Sequence, residues 1–545
     1  MLIASCSGPA KPTHAIDRAP SLVLYGGDVR TMDPERPHAT AVALAGDAIL
    51  AVGDDATVRA LATKATRTID LAGKTVTPGL IDAHCHLYGL GVDLDNVSVR
   101  QLPSEADTVR VMVEAARQRP AGEWLIGRGW DQNRWPGQQF PTKATLDAIA
   151  DRPVALRRVD GHAIWVNSKA LALANVTAST RDPAGGKIVR GADGQPTGVL
   201  IDNAVDLVDA AIPAATAEVR ERRIRAAGKL AIAAGITAVH EMGIDDETAA
   251  VYRRLAAADQ LPLRVYAFLA GDPSNLDRVR VAPAPGVGRF TMRGVKYFAD
   301  GALGSRGARL YQPYDDDADN RGLWVTDPER LSIAVGVAVS GGWQVAVHAI
   351  GDAAIGSVLD AFLAAQRKHG GDRRLRVEHV QVIASDDIRR MVEANAIASM
   401  QPTHATSDMG WAEQRVGANR IAGAYAWRTM LDRGILVAAG SDFPVEEVAP
   451  LLGIYAAVTR QDGDGKPAGG WYPKQRMTLD EAIAAFTRGA AYAEFAETTR
   501  GMIAAGRVAD LTVFDRALAP DRSLLETRAM LTIVGGVIVH ERGDK

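Results

Sequence analysis

The chain has 545 residues, with 62 Lys+Arg against 65 Asp+Glu and 47% hydrophobic residues; this composition excludes wholesale disorder and suits about two to four structural units. A formal net charge of −3 offers no footprint for nucleic acid or an anionic membrane. No apolar run reaches the roughly 18 residues needed to span a bilayer, and two cysteines, Cys6 and Cys85, exclude a disulfide scaffold.

The first residues, Met1-Leu2-Ile3-Ala4-Ser5-Cys6-Ser7-Gly8, resemble a bacterial lipobox, which makes Cys6 a candidate for lipidation. A working signal needs a charged start and an apolar core of about 7–15 residues, so this reading requires a start further upstream. It implies a lipoprotein of the cell envelope; if the match is accidental, a cytoplasmic protein is expected. Residues 1–20 read as a flexible tail.

From Ser21 to Thr77 short strands alternate with turns, as in Leu22-Val23-Leu24-Tyr25 before Gly26-Gly27. The same texture returns in Asp510–Phe514 and Leu531–Val539, so residues 21–78 and 496–545 are expected to form one small β-sandwich. In between, apolar β-rich runs ending near Ala83, Val239, Leu269, Phe298, Val347, Val377, Met400 and Ala439 alternate with helical stretches such as Arg223–Ala233 and Leu331–Val339. That alternation predicts an α/β fold, a (β/α)8 TIM barrel over residues 79–88 and 222–495. Thr478 and Glu481 have capping-box spacing and predict a helix start. Residues 89–221 are too long for one barrel connection; with a surplus strand at Val154–Val159 they read as an inserted subdomain covering the active site.

His84-Cys85-His86 ends the first barrel strand, where positions i and i+2 project together and Cys85 faces away. Two converging neutral imidazoles make half of a metal site. His348, His379 and Asp442 each terminate a further apolar strand, and the C-terminal strand ends of a (β/α)8 barrel form its active site. Lys296 lies inside the apolar strand Gly294–Phe298, where it must be paired, shift its pKa or be modified; reaction with carbon dioxide would make it a carbamate able to bridge two metals.

This set resembles the amidohydrolase superfamily, whose signature is HxH on strand one, a carboxylated Lys on strand four, His on strands five and six, and Asp on strand eight. His84, His86, Lys296, His348, His379 and Asp442 match it in order. The stretches Asp160–Ser168, Asp300–Arg306 and Val347–Asp352 are similar to the YtcJ-like group (amidohydrolase family 3), which includes N-substituted formamide deformylases. The resemblance implies one or two divalent cations, zinc being the expected metal, N-carboxylation of Lys296, and Asp442 as the general base. The implied reaction is hydrolysis of a non-peptide C–N bond, amide or N-formyl/N-acyl, in a small-molecule substrate. Two alternatives remain, a hydrolytic deaminase of an aminated heterocycle and a non-catalytic binding or regulatory protein on the same fold. A homo-oligomer is compatible with either.

His162, in the insertion, is a candidate to orient a carbonyl or leaving group. His240, Arg306 and Gln401 are candidate substrate contacts, and Trp130 is either a substrate-facing lid residue with Arg134 and Trp135 or part of the insertion's packing. Gly73-Lys74-Thr75 lacks the first glycine of a P-loop, because position 68 is Thr, and no GxSxG or GxGxxG occurs.

Overall fold

The computed structural model describes residues 19–543; Cys6 and its surroundings lie outside the described residues. Eight parallel strands form one sheet in chain order: β1 (Leu80–Cys85), β2 (Ile236–Ile244), β3 (Arg264–Ala270), β4 (Phe290–Phe298), β5 (Gln344–Ala349), β6 (Arg376–His379), β7 (Ile397–Met400) and β8 (Val437–Ala439). Every residue of β1 and β5 is buried, as expected for strands that face side chains within the barrel and helices outside it. The helices begin where the sequence supplies caps. Asp245 accepts from the Thr248 amide at the start of Asp246–Ala257, Asp327 precedes Pro328 at the first turn of Pro328–Ser340, and Thr478 with Glu481 forms a capping box.

β1 and β8 share no regular ladder, but hydrogen bonds just beyond their ends bring them together and close the barrel. The Asp442 amide donates to His84 O at 2.7 Å and the His86 amide to Phe443 O at 2.8 Å. One step lower, the Ser441 amide and hydroxyl donate to the Asp82 carboxylate, at 3.0 and 2.6 Å. Gly440 sits at this seam, and a Cβ there would come within 2.4 Å of His84 N. Glycine is required at this position because backbone occupies the space of any side chain.

Both chain ends enter a second pair of sheets. Thr75–Pro78 runs antiparallel to Leu511–Phe514, and Leu22, Leu24 and Leu44 share a core with Val76, Leu511 and Ile533. This unit meets the barrel at the N-terminal ends of its strands, where Thr512 Oγ1 donates to Gly235 O (2.7 Å) and Arg264 binds the Asp510 carboxylate (2.7 and 3.1 Å).

Between β1 and β2 lies a six-stranded sheet built from Val97–Ser98 through Pro196–Asp202, with Val154–Arg158 inside it. Its core is aromatic. Trp130 is fully buried, its indole N–H donates to Leu156 O at 2.7 Å, and its ring lies against Trp135 and Trp165. Trp130 is therefore a packing residue and makes no contact with the cavity described below; a large apolar ring with one satisfied polar atom gains more from burial than from exposure on a lid.

Gly440→Ala should lower stability by about 1–3 kcal/mol, the usual cost of overpacking a closed site. The midpoint of urea denaturation measures it, and an unchanged midpoint would contradict the closed seam.

Candidate metal centre

At the C-terminal mouth of the barrel, His84, His379 and Asp442 place one potential ligand atom each within 4.8 Å of one another, all three side chains being buried. His84 ends the ascent of β1, and His86 begins the helix Leu87–Asp95 with its Nε2 3.3 Å from Asp442 Oδ1. The rings of His84 and His379, and of His379 and His348, have centroids 4.6 Å apart. His379 (φ 76°) and Asp442 (φ 61°) both occupy the left-handed region. For residues with a Cβ this conformation costs energy and persists where the surroundings enforce it; at Asp442 the enforcing contact is the seam hydrogen bond to His84 O.

The surroundings also set each tautomer. His84 Nδ1 donates to Glu378 Oε2 at 2.5 Å, and Arg376 Nε donates to Glu378 Oε1 at 2.8 Å. Burial would raise the Glu378 carboxyl, but Arg376 and His84 outweigh it and hold Glu378 well below the carboxylate range. With Nδ1 engaged, the Nε2 lone pair of His84 faces Asp442. Both His84 Nε2 and Asp442 Oδ1 are buried with no hydrogen-bond partner among the described residues. Buried polar atoms left in this state are costly, and two imidazoles and a carboxylate suit a divalent cation. The residues therefore fit a metal.

Burial, reinforced by Lys296, pushes His84 down to about 4, so it remains a neutral donor across the physiological range. Burial also raises Asp442, but the imidazoles of His84, His86 and His379 override it and keep the carboxylate ionised. Lys296 Nζ lies 4.7 Å from the centroid of the Phe298 ring. Desolvation lowers its pKa to about 8 against the pull of Glu378 and Asp442, which makes the neutral, nucleophilic amine accessible.

Above these groups opens a cavity of about 1060 Å³ lined by His86, Lys296, His348, His379 and Asp442 from the barrel and by His162 from the insertion. His162 Nδ1 is 2.7 Å from Asp202 Oδ1, and its ring lies 4.9 Å from that of His348. Burial would lower its pKa, yet the hydrogen bond and charge of Asp202 carry it above the usual histidine value.

A family model for the amidohydrolase family matches residues 67–540. The chain belongs to the amidohydrolase family. YtcJ of Bacillus subtilis is 35% identical over 95% of this chain and 99% of its own length. The N-substituted formamide deformylase of Arthrobacter pascens is 30% identical over 96% of this chain and 98% of its own length. An uncharacterized metal-dependent hydrolase from Pyrococcus furiosus shares the fold with a TM-score of 0.71, at 29% identity over 91% of this chain and 99% of that one. The chain is thus a hydrolase of this family with a metal cofactor and a TIM barrel, similar to the YtcJ-like group. Among the described residues no helix is long and apolar enough to cross a membrane.

Three further candidates lie off the cavity wall. His240 is fully buried within the barrel, where its Nδ1 accepts from Arg376 at 2.8 Å and its ring meets Tyr266. β2 carries it below the mouth, where it braces Arg376 and is not among the residues that line the cavity. Arg306 turns outward to Asp316 at 3.1 and 3.0 Å, a partner ten residues on. Gln401 accepts from His379 Nδ1 at 2.8 Å, which orients that imidazole from behind. His404, which the sequence reading missed, lines the cavity with Nε2 3.7 Å from Asp442 Oδ2. Its position just after β7, at Gln401-Pro402-Thr403-His404, was the available signal.

Glu378→Gln should weaken metal binding by about 10–100-fold, the usual cost of losing a carboxylate behind a histidine ligand. Titration against a competing chelator measures this, and unchanged affinity would separate Glu378 from the metal site.

Proposed function

We propose that this protein hydrolyses a non-peptide C–N bond, amide or N-formyl/N-acyl, in a small molecule. The buried, unpartnered His84 Nε2 and Asp442 Oδ1, with Asp442 lining a cavity that would enclose such a molecule, carry this reading. His84, His86, Lys296, His348, His379 and Asp442 would hold one or two divalent cations, with zinc as the expected ion. When bound, the metal supplies a Lewis acid that makes water a nucleophile near neutral pH and polarises a carbonyl.

The chain's own residues supply the rest. Lys296, made less basic by burial, attacks carbon dioxide through Nζ and loses a proton, and the resulting carbamate is an anionic oxygen ligand. Asp442, kept ionised by its histidine neighbours, accepts the proton of the attacking water and returns it to the leaving nitrogen. His162, held by Asp202, presents its other ring nitrogen to the cavity, where the protonated ring donates to the carbonyl oxygen or leaving group. The relative that deformylates N-substituted formamides supports a C–N bond as the target.

Asp442→Asn should retain much of the metal yet lose about 10²–10⁴ of kcat, the usual contribution of a positioned base; metal content and turnover of an N-formyl amine are measured on the same preparation. Wild-type turnover would refute the assignment.

The His162 donor is active when protonated, so its raised pKa holds up the alkaline limb of the pH profile. Asp202→Asn removes the charge that raises it, and the alkaline limb of kcat/KM should move to lower pH. A limb that stays in place would assign that ionisation elsewhere.

A further inference from the structure

On its insertion side the cavity is lined by Arg100, Arg128, Arg134, Arg157 and Arg158; Arg134 is exposed to solvent, and the pairing of the other four is unequal. Arg158 donates from all three of its nitrogens, to Gln132, Asp160 and Asp131, and so has two carboxylates of its own. Arg157 Nη2 meets both oxygens of Asp209, at 2.6 and 2.7 Å. Arg100 is tied to the carbonyls of Pro444 and Val445 and lies 3.4 Å from Asp93 Oδ2. Arg128 must share that same carboxylate, at 3.8 Å from Asp93 Oδ1. Its one hydrogen bond among the described residues is from Nη2 to Val159 O, at 3.1 Å, and its Nε has none. Two guanidiniums on one carboxylate leave one positive charge unmatched. Desolvation, with repulsion from Arg100 and Arg157, pulls Arg128 down to about 10. Of the five N–H donors of this side chain four are unused.

Of the carboxylates that line the same cavity, Asp202 holds His162, Asp209 holds Arg157, and Asp408 accepts from Tyr425, so these three are engaged elsewhere, and the only carboxylate within 4.0 Å of Arg128 among the described residues is Asp93. A partly buried, uncompensated guanidinium at a cavity wall costs energy unless an anion completes it. The planar fork of arginine matches the two oxygens of a carboxylate.

We propose that Arg128 anchors a carboxylate carried by the substrate, so that the hydrolysed amide belongs to the N-acyl or N-formyl amino acid class. The position of the fork sets the reach. Arg128 Nη2 is 3.6 Å from the point where a Cβ of Gly161 would stand. The next residue, His162, has its ring 4.9 Å from His348. Anchor and reacting groups therefore share one cavity, the anchor beside the residue that precedes His162, an arrangement suited to a molecule that carries both a carboxylate and an acylated nitrogen. The missing side chain at Gly161 keeps this face of the fork open.

This inference rests on the amide-hydrolase reading, and the test separates the two. N-formylleucine and N-formylisoamylamine differ by the carboxylate alone. The metal-loaded enzyme should favour the acid in kcat/KM, and Arg128→Gln should reduce that preference by about 10–100-fold, the range for charge-assisted hydrogen bonds. Arg128→Lys, which keeps the charge without the fork, should restore part of it. A preference that is absent, or that is unchanged in Arg128→Gln, overturns the proposal. If neither compound is cleaved, the amide reading fails, and calorimetry still decides Arg128. Asp442→Asn protein should bind N-formylleucine saturably and at least tenfold more weakly when Arg128→Gln is added. Absence of binding, or equal binding in both proteins, overturns the anchor. Retained circular dichroism and thermal midpoint exclude misfolding as the cause of any loss.

Discussion

Glu378 is fully buried between the guanidinium of Arg376 and the imidazole of His84, and the barrel mouth is organised around that contact. A carboxylate so deeply desolvated would be protonated on its own; Arg376 keeps it charged. Once charged it fixes His84 in the Nδ1–H form and turns Nε2 toward Asp442. Arg376 in turn donates to Ala83 O, Ser399 Oγ and His240 Nδ1, so one guanidinium links β1, β2, β6 and β7 beneath the site. A buried ion pair of this kind contributes little net stability. Its value here is orientation.

The two ends of the barrel perform separate tasks. The sheets built from the chain ends meet the N-terminal ends of the strands, through Thr512, Arg264 and Asp510, where a (β/α)8 barrel is stabilised. The insertion meets the opposite end and supplies His162, Arg128 and much of the cavity wall. The barrel thus carries the candidate metal-binding groups on strand ends, while the insertion shapes what they meet. This division explains how one constellation can serve many substrates, and why substrate class has to be read from the insertion.

Much of the fold was legible because barrel strands are short apolar runs with a polar residue at the exit, as Val345-Ala346-Val347-His348 illustrates. Capping residues such as Thr478, with Glu481 three positions on, mark a helix start by local hydrogen bonding alone, so their spacing is visible in the sequence. Side-chain direction inside the barrel was not legible. His240 and His348 both belong to apolar strands, yet one lies within the barrel against Arg376 and the other at the cavity, because β2 rises further past the level of His240. Gln401 looked like a pocket residue and lies behind His379; Arg306 found a local acid in Asp316. Trp130 could not be placed while the partners of its indole N–H were unknown. Arg128 drew no notice because an arginine in a strand is ordinary until its neighbours are counted.

Arg100, two residues past the strand Val97–Ser98, donates to the carbonyls of Pro444 and Val445, two and three residues after Asp442. The insertion is therefore fastened to the loop that carries the proposed base by the Arg100 side chain, whose acceptors are backbone carbonyls. An insertion transplanted from a relative would bring its own geometry at position 100 and pull on that loop directly. An exchange of substrate specificity by grafting the insertion would have to keep an arginine at position 100, or the loop would lose the two hydrogen bonds that hold it.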